Sequence, residues 1–231
     1  MRKDGMLLFI NVALGLCLGA GVATFVAQVT SCNEQSKMNE TSLETKVIML
    51  IFLFIIYFAN ILRTFLGFVK FYQDESLYDP DYEKLIDDPG KLYNIRLVDF
   101  IAMMLIILSL IFQGMILHLY AVFACIFFIS SVLFVIRNLI LTKSFKSNKN
   151  ASIAARVDDD EIKQRTDVVT NWLVLDSLFL IPAFILILGI FFSESMRNLL
   201  FGFSAAILLI ISWYDIWRNR TYYFGSAPHA A

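Results

Sequence analysis

The chain reads as an all-α polytopic membrane protein: a bundle of six transmembrane helices arranged as three helical hairpins, with both termini cytoplasmic. Three observations predict this class. Hydrophobic residues make up 58% of the 231 and charged residues only 17%, where soluble domains carry about a quarter charged. Six apolar stretches each approach the ~20 residues that cross a hydrocarbon core ~30 Å thick at ~1.5 Å per residue. Lysine and arginine collect in alternate connections. The 22 Phe residues fit the same class, because lipid tails solvate Phe, Ile and Leu without a protein core to hide them.

The first span, residues 6–29, follows Arg2 and Lys3. A secretory leader also begins with basic residues, but this run is longer than an h-region and no small-x-small cleavage site follows it, so a retained helix is expected. The second span is 47–69. The third and fourth, 98–117 and 121–141, are separated only around His118; Gln113-Gly114 and the combined length predict a tight turn rather than one long helix. The fifth and sixth, 171–192 and 199–217, are split by Ser193-Glu194-Ser195. No run alternates as a barrel strand would, and backbone groups in lipid must be paired internally, so every span is a helix.

Orientation follows from the basic residues. Connection 70–97 carries Lys70, Lys84, Lys91 and Arg96, and connection 142–170 carries Lys143, Lys146, Lys149, Arg156, Lys163 and Arg165. Both are expected to be cytoplasmic. On the other side, Lys37 and Lys46 are offset by Glu34, Glu40 and Glu44, and the remaining turns hold only His118 and Arg197. The expected location is the plasma membrane, the inner membrane in a bacterium. Residues 1–224 form one transmembrane domain; 225–231 are a short tail with no assigned role. Turn signals at Asp79-Pro80 and Pro89-Gly90 break the first cytoplasmic loop. In the second, a short helix leading into span five is expected from Ala151 onward, with Asp158-Asp159-Asp160-Glu161 in its first turn if it begins near Val157. Neither loop can build a core, but both can dock a cytosolic protein.

The second member of each hairpin closes on an arginine and a small polar residue: Arg63-Thr64, Arg137-Asn138 and Arg218-Asn219. The first members of hairpins two and three carry an acid near the same level, Asp99 and Asp176. Asp99 is therefore expected near Arg137, and Asp176 near Arg218. True duplication and the positive-inside rule alone both account for the pattern.

Arg63, Asp176 and Asp215 lie inside apolar runs, where a charge costs on the order of 3 kcal/mol at the bilayer centre. The candidate site is a polar cluster in the cytoplasmic leaflet: Asn60, Arg63, Asp99, Arg137, Asp176, Asp215 and Arg218. It reads as an ion or solute gate or an electrostatic lock between hairpins. The plainer reading has the arginines snorkelling to the interface and the acids pairing with them for structure. Gly15, Gly19 and Ala23 form a small-residue face on span one, expected to pack against another helix of the bundle. Trp213, Trp217, Tyr222 and Tyr223 are expected to anchor the interface.

The only histidines are His118 and His229, and Cys17, Cys32 and Cys125 have no ligand spacing. No haem, zinc or other cofactor is expected. There is no catalytic or phosphate-binding motif, and no nucleic-acid partner is expected. The chain is therefore read as a non-enzymatic integral membrane module, an oligomeric channel-like or sensor subunit coupling the bilayer to a cytosolic partner on loops 70–97 and 142–170. The alternatives are a small-solute or ion transporter with its polar site in the cytoplasmic leaflet, and an intramembrane lipid-modifying enzyme. The outer halves are broken only by Ser109, Gln113, Ser130, Ser131 and Ser204, so any pore is expected between subunits of a homo-oligomer or closed by dewetting.

Overall fold

A computed structural model describes residues 3–35, 40–74, 89–152 and 159–220. The Asp79-Pro80 turn signal, Val157 and the tail 225–231 lie outside the described residues. The described residues form six helices: α1 (Lys3–Gln35), α2 (Glu40–Asp74), α3 (Pro89–Met115), α4 (Tyr120–Ser152), α5 (Asp159–Gly189) and α6 (Glu194–Arg218). All six are long and apolar enough to cross a membrane, with candidate spans Leu7–Cys32, Lys46–Val69, Tyr93–Met115, Tyr120–Lys143, Asp167–Gly189 and Glu194–Arg218. Several helices outlast their apolar runs. α2 continues to Asp74 and α4 to Ser152, so part of each expected loop is helix. Hydropathy falls where the bilayer would end, but a helix continues wherever propensity permits. α3 opens on Pro89, whose missing N–H costs nothing at a first helical position. α5 starts at Asp159 as one continuous helix, not as a separate short segment.

The turn between α3 and α4 falls at Ile116–Leu119, where Leu119 N–H donates to Ile116 O at 2.7 Å. It is tight, as expected, but Gly114 is not part of it. That glycine stays helical and serves a packing role instead. Each helix touches two main neighbours: α1 lies between α2 and α3, α4 between α3 and α5, and α6 between α5 and α2. The six thus close into a ring. The expected hairpin pairs are all in contact, and α4 packs on α5 as well.

The ring is filled by Ile10, Leu14, Leu53, Ile56, Phe123, Phe127 and Phe201, all fully buried. The outward faces are equally apolar: Leu16, Leu105, Ile129, Phe184 and Ile210 are exposed. A surface of this kind belongs in hydrocarbon, and it fits a membrane-embedded bundle.

At the end with the short turns, Arg197 ties two turns together. Its Nε donates to Gly189 O at 3.4 Å and its Nη2 to Phe192 O at 3.2 Å, at the C-terminal end of α5. Its guanidinium also lies 4.1 Å from the centre of the Tyr120 ring, at the start of α4. Arg197→Ala is expected to lower stability by about 1–2 kcal/mol, read as a fall in unfolding midpoint of the purified protein.

Candidate functional site

The opposite end, where α2, α4 and α6 finish and α3 and α5 begin, holds every buried charge among the described residues. These are Arg63, Asp99, Arg137, Asp176 and Asp215, none more than 8% exposed. They come from five different helices. Each faces the ring interior and finds partners there.

Arg63 of α2 is the hub. Its Nε donates to Asp215 Oδ2 on α6 at 3.0 Å, and its Nη1 pairs with Asp176 Oδ1 on α5. The face of Phe179 lies 4.2 Å from its guanidinium carbon. A guanidinium has the fork geometry to serve two carboxylates at once, which a lysine lacks. Two amides complete the acids. Asn138 of α4 donates to Asp176 Oδ2, and Asn219 donates to Asp215 Oδ1 at 2.6 Å. A second pair stands beside this group: Arg137 Nε donates to Asp99 Oδ1 at 2.8 Å. The Arg137 guanidinium lies 4.8 Å from the centre of the Phe68 ring of α2. Phe68 in turn approaches Phe134 of α4, with ring centroids 6.2 Å apart.

The seven predicted residues separate on this geometry. Arg63, Asp176 and Asp215 form one group, and Asp99 and Arg137 the adjoining pair. Asn60 is buried one turn before Thr64, whose hydroxyl donates to Asn60 O at 2.7 Å. Arg218 does not join. It is exposed, donates to Tyr214 Oη at 2.8 Å, and lies 5.9 Å from the centre of the same ring. The expected Asp176–Arg218 pair is therefore replaced by Asp176–Arg63. The rotation of α6 turns Asp215 and Asn219 inward and leaves Arg218 outside.

The residues missing from the expected cluster are Asn138 and Asn219. Both stood in the recurring Arg-Asn signature, so the signal was present. Its second residue, not its arginine, is the member that faces an acid of α5 or α6 in both cases. Phe68 and Phe179, beneath the two guanidiniums, had no distinguishing sequence signal among 22 Phe residues.

The small-residue face is also corrected. Gly15, Gly19 and Ala23 are exposed on α1, and a Cβ on either glycine would meet nothing within 4 Å. They do not pack inside the bundle. The close approach is at Gly21 instead, where Tyr57 of α2 crosses between Gly21 and Gly114 of α3 and its hydroxyl donates to Cys17 O.

Beside the charge network is a cavity of about 30 Å³, bordered by Arg63, Thr64, Arg137, Asn138, Trp172 and Asp176. Toward the other end the ring interior is occluded by Tyr57 and the buried phenylalanines. Its main polar feature is Gln113 Nε2 donating to Ser130 Oγ at 3.0 Å. No protein-family model matches the chain, and neither a curated protein nor a solved structure matches it.

Proposed function

We propose that the protein is a non-enzymatic integral membrane module, a homo-oligomeric channel-like or sensor subunit that couples the bilayer to a cytosolic partner. The charged end is cytoplasmic in this reading, because the Lys- and Arg-rich connections adjoin it. Both termini lie on that side, and the host membrane is the plasma membrane. One observation carries the proposal: a single guanidinium, Arg63, holds α2 to both α5 and α6. The first and third hairpins can separate at this end only if that contact is broken or exchanged. A buried ion pair is a poor source of net stability but a good discrete latch, since its half-broken state is strongly disfavoured. In this reading the extensions of α2 and α4 beyond the charged residues, to Asp74 and Ser152, are the surface a partner would grip.

The test is a mass measurement in mild detergent together with conductance in planar bilayers. The expected result is a homo-oligomer in which Arg63→Gln conducts more than the parent protein. A monomer whose Arg63→Gln variant is as silent as the parent overturns the reading.

A second reading, a transporter for an ion or small solute, is favoured by the cavity beside Asp176. Under it, Asp176→Asn abolishes uptake into proteoliposomes while the protein stays folded.

A further inference from the structure

We infer that Asp176 is a shared acid with two discrete arginine partners. Arg63 of the first hairpin holds it in the arrangement described above, and it passes to Arg137 of the second hairpin when the first draws away. The inference deepens the latch reading of Arg63 and rests on it for its consequence, since the exchange says where the released acid goes.

The first observation behind it is the ring order. α4 packs directly on α5, but α2 is not one of the two main neighbours of α5. The Arg63–Asp176 contact therefore reaches across the ring, whereas Arg137 stands on a helix that lies against the one bearing Asp176. A movement that widens the gap between α2 and α5 stretches the Arg63 contact and leaves Arg137 beside the acid.

The second is that α4 already grips Asp176. Asn138, the residue after Arg137, donates to Asp176 Oδ2. The charge of Arg137 itself acts on Asp176, while Asp215, bound to the same Arg63 guanidinium, repels it.

The third is space. Arg63, Arg137, Asn138, Asp176 and Asp215 all border one cavity of about 30 Å³. Protein interiors are otherwise close-packed. This volume exceeds the roughly 10–15 Å³ that a water molecule needs, so a carboxylate or guanidinium can turn into it without displacing a packed side chain.

The exchange strands no charge. Arg63 keeps Asp215 through Nε, and Asp215 keeps Asn219. Asp176 keeps Asn138, and Arg137 keeps Asp99 through Nε. One guanidinium can serve two carboxylates, as Arg63 does now. Breaking a buried pair outright leaves charges uncompensated at high cost. Passing the acid from one arginine to another avoids that cost and gives two discrete arrangements instead of gradual loosening.

The experiment is thermal unfolding of the purified full-length protein in detergent, with Arg63→Gln, Asp99→Asn and the two combined. With Arg63 gone, Asp99 and Asp176 compete for one guanidinium, and neutralising Asp99 gives it wholly to Asp176. Each single substitution is expected to lower the midpoint, yet the double variant should melt about 2–4 °C above Arg63→Gln alone. The rescue must need Asp176: added to Arg63→Gln with Asp176→Asn, Asp99→Asn should lower the midpoint. If Arg63→Gln does not fold, Arg63→Lys takes its place, and Asp99→Asn should then cost less in that background than in the parent. Losses that merely add overturn the inference. A rescue that persists without Asp176 assigns it to general relief of negative charge and overturns it equally. Unfolding requires neither an oligomer nor conduction, so failure here and failure of the conductance test are separate results.

Discussion

Replacing Arg63 with alanine is expected to destabilise the protein by about 3–5 kcal/mol, the usual consequence of leaving a buried charge without its partner. Here one substitution strands two carboxylates, Asp176 and Asp215, each at most 2% exposed. It also removes the guanidinium from the face of Phe179. The size of the loss measures the stranded acids and not the worth of the intact pair. Removing both sides separates the two: Arg63→Met combined with Asp176→Asn and Asp215→Asn should recover most of the stability. Arg63→Lys should fall between, since an ammonium is a point charge and cannot fork to acids on two helices. Arg218→Ala is the matched control, drawn from the same sequence signature but exposed, and is expected to stay within about 0.5 kcal/mol of the parent. Reversible unfolding in mixed micelles measures all four. Equal losses at Arg63 and Arg218 would contradict the assignment of Arg63 as the hub.

The second large effect is expected where three helices meet at Tyr57. A Cβ placed on Gly21 would stand 2.1 Å from Tyr57 Cε1, far inside contact distance. On Gly114 it would stand 2.5 Å from the Tyr57 hydroxyl and 3.0 Å from the Gly21 backbone nitrogen. Tyr57 is itself fully buried and anchored to Cys17 O, so it cannot swing aside cheaply. Gly21→Ala and Gly114→Ala are each expected to cost about 1–3 kcal/mol or more by overpacking. Gly15→Ala and Gly19→Ala should instead be neutral or stabilising by up to about 1 kcal/mol, because alanine is the better helix former and nothing is in the way. Adding Tyr57→Phe should relieve part of the Gly114→Ala loss, since the hydroxyl is the nearest atom there, and little of the Gly21→Ala loss, where the ring is. A Gly21→Ala variant as stable as Gly19→Ala would show that this crossing is looser than the structure has it.

The three arginine signatures show how far the chain could be read before the helices were assembled. Arg63, Arg137 and Arg218 occupy equivalent places toward the ends of apolar runs, and their gathering at one end of the bundle was legible from spacing alone. Their fates differ. Arg63 reaches across to the third hairpin, Arg137 pairs with an acid of its own hairpin while lying over Phe68 of the first, and Arg218 turns out of the bundle. The two asparagines that meet Asp176 and Asp215 were visible in the motif but not as partners, because a partner on another helix has no sequence register with the residue it meets.

Six spans, their approximate limits and the level of the charges follow from the amino-acid order alone. They depend on hydropathy summed along one helix, which needs no knowledge of the neighbours. The ring order, the choice of Gly21 over Gly15 and Gly19, the inward Arg63 and the outward Arg218 were decided only by tertiary structure. In a soluble helix an apolar stripe announces which side faces the core. Here both sides are apolar, Ile10 inside and Leu8 or Val12 outside. The rotation of each helix is therefore set by shape and by where its few polar atoms find partners, and both of those exist only once the other helices are in place.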